Sequence, residues 1–299
     1  MKVLEKVDVL QSVKLKQLKF QIIILKTKPT KNSFDGKLLG RSLCDWVMFA
    51  CNGHKINVYD YDIKINPLEF VKDKVFKEFD YTILLLSSTP LLEASDIKNI
   101  IEYSSIKMVN MCKLPTGYVI NNNYILSGNT QIDSVYSVNL DNFYIVENKK
   151  QFNYALNVLQ DRINSFHMDN GVEIIKPSSV YIEPEVDIDG GVVIYPNNSI
   201  KGQSHISKEV ILKENNIIEN SKIGANSCVC SSTIIDSIIS SGVYIASFCE
   251  IKNSLVGKDA LIEKGVSIRG YNIDVNAKIK ANTILGEDDD SSSGARKSR

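Results

Sequence analysis

The apolar positions in the C-terminal half of the chain fall on a period of six. Taking every sixth residue from Ile182 gives Ile182, Ile188, Ile194, Ile200, Ile206, Leu212 and Ile218 without a miss. After a five-residue step the series resumes at Ile223 and Val229, blurs between Ile234 and Ile239, then runs through Ile245, Ile251, Val256, Ile262, Ile268, Ile273, Ile279 and Leu285. That period suits neither a helix, whose apolar face recurs every 3.6 residues, nor a simple strand meander. It suits hexapeptide repeats, each forming one face of a three-sided parallel β-helix with its aliphatic side chain stacked inside. Units such as IGANSC (223–228), VGKDAL (256–261) and IEKGVS (262–267) place a small or acidic residue after the aliphatic and a small residue two before the next. Three faces make a coil, so residues 171–285 predict about six coils. Each rung buries one aliphatic, about 1.5 to 3 kcal/mol apiece, so no coil stands alone and the open end must be covered or paired.

Before the repeats, QFNYALNVLQDRINSF carries Phe152, Ala155, Leu156, Leu159, Ile163 and Phe166 at helical spacing, and Asp169-Asn170-Gly171 follows as a stop. Further upstream, strand-like and helix-like segments alternate. QIIIL (21–25), a helical LLGRSLCDWVMFA (38–50), INVYDY, TILLL (82–86) and a helix capped by Ser95 in SDIKNIIEY are the alternation of a doubly wound α/β sheet. The uncharged TILLL run reads as a buried parallel strand. Its carboxyl end, where α/β sheets bind ligands, carries the turn Ser87-Ser88-Thr89-Pro90, with hydroxyls and no carboxylate.

Composition narrows the function classes. Lys plus Arg and Asp plus Glu both total 35, so no net field draws the chain to nucleic acid or an acidic membrane surface. No apolar run reaches membrane-spanning length and the N-terminus is interrupted by charges, which predicts a cytoplasmic protein. The six cysteines are scattered without a CxxC pair and read as reduced thiols; Cys228 and Cys230 would point the same way on the outside of a strand. Residues 286–299, acidic, then serine-rich, then basic, predict a disordered tail.

The run LQDRINSFHMDNGVEIIKPSSVYIEPEVDI, 159–188, resembles the junction of the bacterial bifunctional N-acetylglucosamine-1-phosphate uridyltransferase/glucosamine-1-phosphate acetyltransferase family. There a linker helix bearing R-I-N-x-x-H-M-x-N-G-V leads into a left-handed β-helix, and VENKKQF (146–152) is similar to the family's V-N-[ND]-R-x-Q-L entry. The resemblance implies a shortened Rossmann-like nucleotide-sugar transferase domain at 1–146, a linker helix at 147–170, a left-handed parallel β-helix at 171–285 and the tail at 286–299. It also implies a homotrimer.

Within that resemblance the departures are specific. The family's glycine-rich phosphate loop is replaced by LKTKPTKNSFDGK (25–37), where Lys26, Lys28, Lys31 and Lys37 could draw phosphate as point charges. LSSTPLL (86–92) is similar to the family's Y-G-D-T-P-L-I, whose Asp holds Mg²⁺; Ser88 stands in its place. The second ligand, an Asn, falls on Glu147, with Asn148 beside it. Magnesium requires hard anionic oxygens, so either Glu147 rebuilds the site or both ligands drifted once catalysis was lost. The family's base-recognition segment and its acetyl-site segment have no counterpart. Of the three histidines, His54 lies in a loop, His167 belongs to the linker motif, and His205 precedes inward Ile206 and so points outward. Acyltransferases of this solenoid class do use an outward His base, but no partner for His205 is visible in the sequence.

Two readings follow. In the first the chain is a catalytically impaired relative, a nucleotide-sugar-binding or oligomeric scaffold protein tied to UDP-N-acetylglucosamine biosynthesis. In the second it is a working sugar-1-phosphate nucleotidyltransferase that needs Mg²⁺. The candidate binding residues are Lys37, Ser87, Ser88, Thr89, Glu147 and Asn148, and the expected ligand is a nucleotide or nucleotide-sugar.

Overall fold

The computed structural model describes residues 18–27, 36–137 and 140–286. Lys28, Lys31 and the tail beyond 286 lie outside the described residues. The chain divides into two compact units, Met1–Ala155 and Leu156–Arg299.

The first unit is built on β1 (Phe20–Thr27), α1 (Leu43–Ala50), β2 (Lys55–Tyr61), α2 (Pro67–Val71), β3 (Tyr81–Leu86), α3 (Ala94–Lys107), β4 (Met111–Leu114), β5 (Gly117–Asn121), α4 (Asn122–Leu126) and β6 (Ser134–Val135). The strands form one sheet in the order β2-β1-β3-β5-β4-β6. β2, β1 and β3 are parallel, and β5 returns antiparallel to both β3 and β4. Both faces are covered, which is why β1 is apolar at consecutive positions. Ile22 and Ile24 pack with Val47 of α1 and with Ile97 and Ile100 of α3, while Ile23 and Leu25 pack with Leu68 and Val71 of α2 and with Ile125 of α4. The β4–β5 hairpin requires Gly117: a Cβ there would lie 2.0 Å from the Leu84 carbonyl oxygen of β3.

Two helix starts differ from the sequence expectation. Residues 38–41 form a tight turn with Leu39 and Gly40 at positive φ, so α1 begins only at Leu43, where Ser42 and Asp45 form a reciprocal capping box. In α3 the cap is Glu93, whose side chain pairs with Asp96 in the same reciprocal pattern; Ser95 lies inside the first turn.

Helix α5 (Lys149–Asp169) carries the linker motif. Ala155 and Leu159 are buried as the spacing predicts, but Phe166 is 63% exposed. Polar motif residues take the buried face instead. Asn164 donates to the carbonyls of Pro177 and Val180 at 2.9 and 3.2 Å and accepts from Gln160 at 3.0 Å. The helix thus docks on the first coil by donating to the Val180 carbonyl and to the Pro177 carbonyl, which also accepts from Val180 N–H. Gly171, at φ +88°, ends it as expected.

The second unit is a solenoid. Twenty short strands, from Glu173–Ile174 to Ile284–Gly286, stack into three parallel sheets of seven, seven and six strands. All the hexad aliphatics through Ile273 point inward and are buried, while Ile279 and Leu285 pack against them at the last coil. The blur in the period resolves here: Ile234 stacks between Ile218 and Ile251, and Ile239 between Ile223 and Val256. The small residue two before each aliphatic has a defined task. Ser204, Ser221, Ser237 and Ser254 form a buried ladder in which each hydroxyl accepts the backbone N–H of the residue one coil on, at 3.0 to 3.2 Å. Corners turn through left-handed residues, mostly Asn, Asp and Gly, as steric cost dictates. Phe248, at φ +65° and 78% exposed, breaks that rule. Among the described residues no helix is long and apolar enough to cross a membrane.

Candidate functional site

The turn after β3 lies beyond the carboxyl ends of β1 and β3, and the backbone fixes it firmly. Ser87 N–H donates to the Leu25 carbonyl at 3.0 Å, and the Ser88 carbonyl accepts from Val146 N–H at 2.8 Å. The second bond brings the Ser88 and Glu147 positions together, although the sequence separates them widely. Lys37 is exposed before the 38–41 turn, and no hydrogen bond or ion pair among the described residues ties it to this corner.

The oxygen donors at the corner are mostly occupied. The Thr89 hydroxyl donates to the Leu86 carbonyl at 2.8 Å, closing the turn on itself. Asn148 Oδ1 accepts from Gln151 N–H at 3.0 Å, and the Gln151 side chain accepts from Glu147 N–H at 2.9 Å, so Asn148 is the N-cap of α5. Ser87 is buried, Ser88 half-buried and Glu147 exposed. Glu147 thus offers one exposed carboxylate and Ser88 a half-buried neutral hydroxyl. Mg²⁺ favours near-octahedral hard oxygen, with one or two carboxylates carrying the charge. The residues present do not fit that ion well.

A cavity of about 160 Å³ sits beside this turn, lined by Leu25, Leu86 and Ile145 and by the hairpin residues Pro115, Thr116, Gly117 and Tyr118. Lys113 is the charged group among its lining residues, and its ammonium lies 4.0 Å over the Tyr118 ring. The sequence reading passed over Lys113; the signal was LPTG between two apolar runs, a hairpin that carries this lysine to the strand ends. None of the six predicted binding residues lines the cavity. A wider cleft of about 1270 Å³ opens at the other end of the strands, against Phe20, Asp80 and Tyr81.

In the solenoid, His205 does have a partner. Parallel register sets it beside Asp187 of the preceding coil, and Nδ1 lies 2.9 Å from Asp187 Oδ2. Its Nε2 is 3.8 Å from Asp189 Oδ2, which also accepts from Lys208 N–H at 3.1 Å. His167 of α5 is buried; burial lowers its pKa, opposed by the nearby Asp187 carboxylate. The outward thiols Cys228 and Cys230 meet at 4.0 Å, on one side of the strand as alternation predicts. Partial burial, and then the neighbouring Cys230, push Cys228 up to about 11, so it is held as a thiol at neutral pH.

Comparison with known proteins places this geometry. Residues 176–288 match the family described as GMPPB C-terminal domain. The chain is 33% identical over 152 residues to the bifunctional protein GlmU of Clostridium acetobutylicum, covering 50% of this chain and 33% of that protein. It is 35% identical over 143 residues to GlmU of Clostridium botulinum ATCC 19397, covering 48% and 31%, and 34% identical over 133 residues to GlmU of Streptococcus thermophilus, covering 44% and 29%. The chain therefore spans about a third of the length of these curated relatives. Among solved structures, the acetyltransferase domain of PglB from Neisseria gonorrhoeae FA1090 superposes with a TM-score of 0.33 at 8% identity, covering 88% of this chain and 96% of that one, too loose a likeness to carry an argument. The resemblance carried by the linker motif is borne out over about half the chain, as similarity to the bifunctional GlmU proteins.

Proposed function

We propose that this chain is a non-catalytic relative of the bifunctional uridyltransferase/acetyltransferase, a nucleotide-sugar-binding scaffold whose solenoid assembles it as a homotrimer. The observation that carries the reading is the state of the corner at Ser88. The two positions where the family's pattern places metal ligands hold Ser88, a neutral hydroxyl, and Glu147, a single exposed carboxylate, while the neighbouring Thr89 hydroxyl is committed to the turn and the Asn148 carboxamide oxygen to the cap of α5. Nucleotidyl transfer relies on positioning and charge neutralisation, so a corner with a single exposed carboxylate supplies little of either. The adjoining cavity of about 160 Å³ is also below the roughly 300 to 1000 Å³ typical of small-molecule sites. Lys113 at its rim offers a point charge for a phosphate, which supports weak binding over turnover.

One observation favours the second reading, a working nucleotidyltransferase. The 2.8 Å bond between Val146 N–H and the Ser88 carbonyl keeps the two ligand positions adjacent, as a rebuilt site would need. Calorimetry with UDP-N-acetylglucosamine and a pyrophosphate-release assay, run on the same purified protein, separate the two. Binding without turnover supports the scaffold. Turnover that is abolished by Glu147→Ala supports the enzyme.

A further inference from the structure

We infer that Asp187, Asp189 and His205 form a binding site for a borderline divalent cation of the Zn²⁺ class, on the outer face of the first two coils of the solenoid. Three features of the fold build it. Parallel in-register stacking sets His205 directly beside Asp187. Strand alternation turns Asp189, two residues further on, to the same outer side. The offered ligand atoms, one from each residue, all lie within 4.8 Å of one another. Among the described residues this is the one group of three such side chains found that close.

The chemistry of the set selects the ion. One imidazole nitrogen with two carboxylates suits Zn²⁺, Co²⁺, Ni²⁺ or Mn²⁺, whereas Mg²⁺ and Ca²⁺ favour all-oxygen shells. The donors are held in part from outside: the Lys208 backbone N–H fixes the Asp189 carboxylate at 3.1 Å, an outer-shell bond of the kind that orients metal ligands. A second imidazole lies within electrostatic reach of Asp187. His167 of α5 is buried and feels the Asp187 charge. The Asp187 and Asp189 side chains are 77% and 44% exposed, which leaves water positions open on the ion. Three protein donors with open positions are the pattern of a reactive zinc site; a sealed structural one has four. Lys222, the outward residue on the following coil, is the nearest register neighbour of opposite effect.

The test uses the full chain, stripped with a chelator and titrated with ZnCl₂ by calorimetry, with Co²⁺ absorption as a second readout of nitrogen and oxygen ligation. The expected result is saturable 1:1 binding, weakened at least tenfold in His205→Ala and in Asp189→Asn and unchanged in the Cys228→Ser/Cys230→Ser double variant. Thermal unfolding of each variant confirms that it folds, and His205→Gln replaces any that does not. The inference is overturned by three results: no saturable binding, binding of equal strength in the His205 variants, or binding lost only when the two cysteines are replaced.

Discussion

Ser237→Ala removes one link from the buried serine ladder, and the structure sets the size of the effect. The Ser237 hydroxyl is 2% exposed, accepts from Ser254 N–H at 3.1 Å and donates to the Ile235 carbonyl at 2.7 Å. The Ile235 carbonyl keeps a second donor, Asn253 N–H at 3.1 Å. Ser254 N–H has no such reserve, so the substitution leaves a buried donor unpaired. That costs about 1 to 3 kcal/mol, against nearly nothing for loss of a solvated hydroxyl. Alanine retains Cβ, so cavity formation adds little. Because a solenoid is stabilised coil against coil, the loss also weakens coupling between the halves on either side. Urea denaturation followed by far-UV circular dichroism measures the solenoid transition, and Ser199→Ala, on the outer face, serves as control. Amide exchange at Ser254 should accelerate in the Ser237 variant. If Ser237→Ala and Ser199→Ala both fall within about 0.5 kcal/mol of the parent, the ladder is not a source of stability and the reason given for the small residue in each hexad is wrong.

Three further perturbations test other parts of the fold. Gly117→Ala drives a Cβ into the Leu84 carbonyl of the adjacent strand and should lower the stability of the first unit by about 2 kcal/mol or more, visible as a lower urea midpoint in Trp46 fluorescence; an unchanged midpoint contradicts the close approach. Phe248→Asn relieves a left-handed aromatic and should raise the solenoid's midpoint by about 1 kcal/mol, whereas a loss would show that the exposed ring has a packing role. His167 is buried with its pKa lowered from 6.5, so the unfolded chain takes up the proton first as pH falls. Stability should therefore drop as pH falls through 6.5 and level off below the folded pKa, with a slope of at most about 1.4 kcal/mol per pH unit. His167→Gln should flatten that slope, and a slope that persists assigns it to another group.

The solenoid was legible because its physics is local and periodic. Each inward rung takes an aliphatic and each tight corner takes Asn, Asp or Gly, so period and composition carry the fold directly. Ile234 and Ile239 blurred because two five-residue steps follow one another there, leaving that coil two residues short of three full hexads, a change the stacking absorbs. Phe166 misled for the opposite reason: helical spacing marks an apolar face, but the first coil presents carbonyls to which Asn164 donates. The β4–β5 hairpin was missed because antiparallel pairing with β3 depends on a distant glycine contact rather than on a run of apolar residues. The pairing of Asp187 with His205 was within reach. Residues eighteen apart share a face one coil away, so the first Asp of VDID could have been set beside His205 by counting alone. The corner at Ser88 was found through resemblance, since nothing local marks a hydroxyl as occupying a carboxylate's place. That Thr89 and Asn148 are committed to the turn and the helix cap needed the hydrogen bonds themselves.

Pyrophosphate release by the purified protein, with UTP, N-acetylglucosamine-1-phosphate and Mg²⁺ and then a panel of other nucleotides and sugar phosphates, tests the central claim most directly. A corner with one exposed carboxylate and a neutral hydroxyl predicts no turnover above the no-protein control with any pair. Sustained release with any pair, abolished by Glu147→Ala, would show that the site was rebuilt rather than lost.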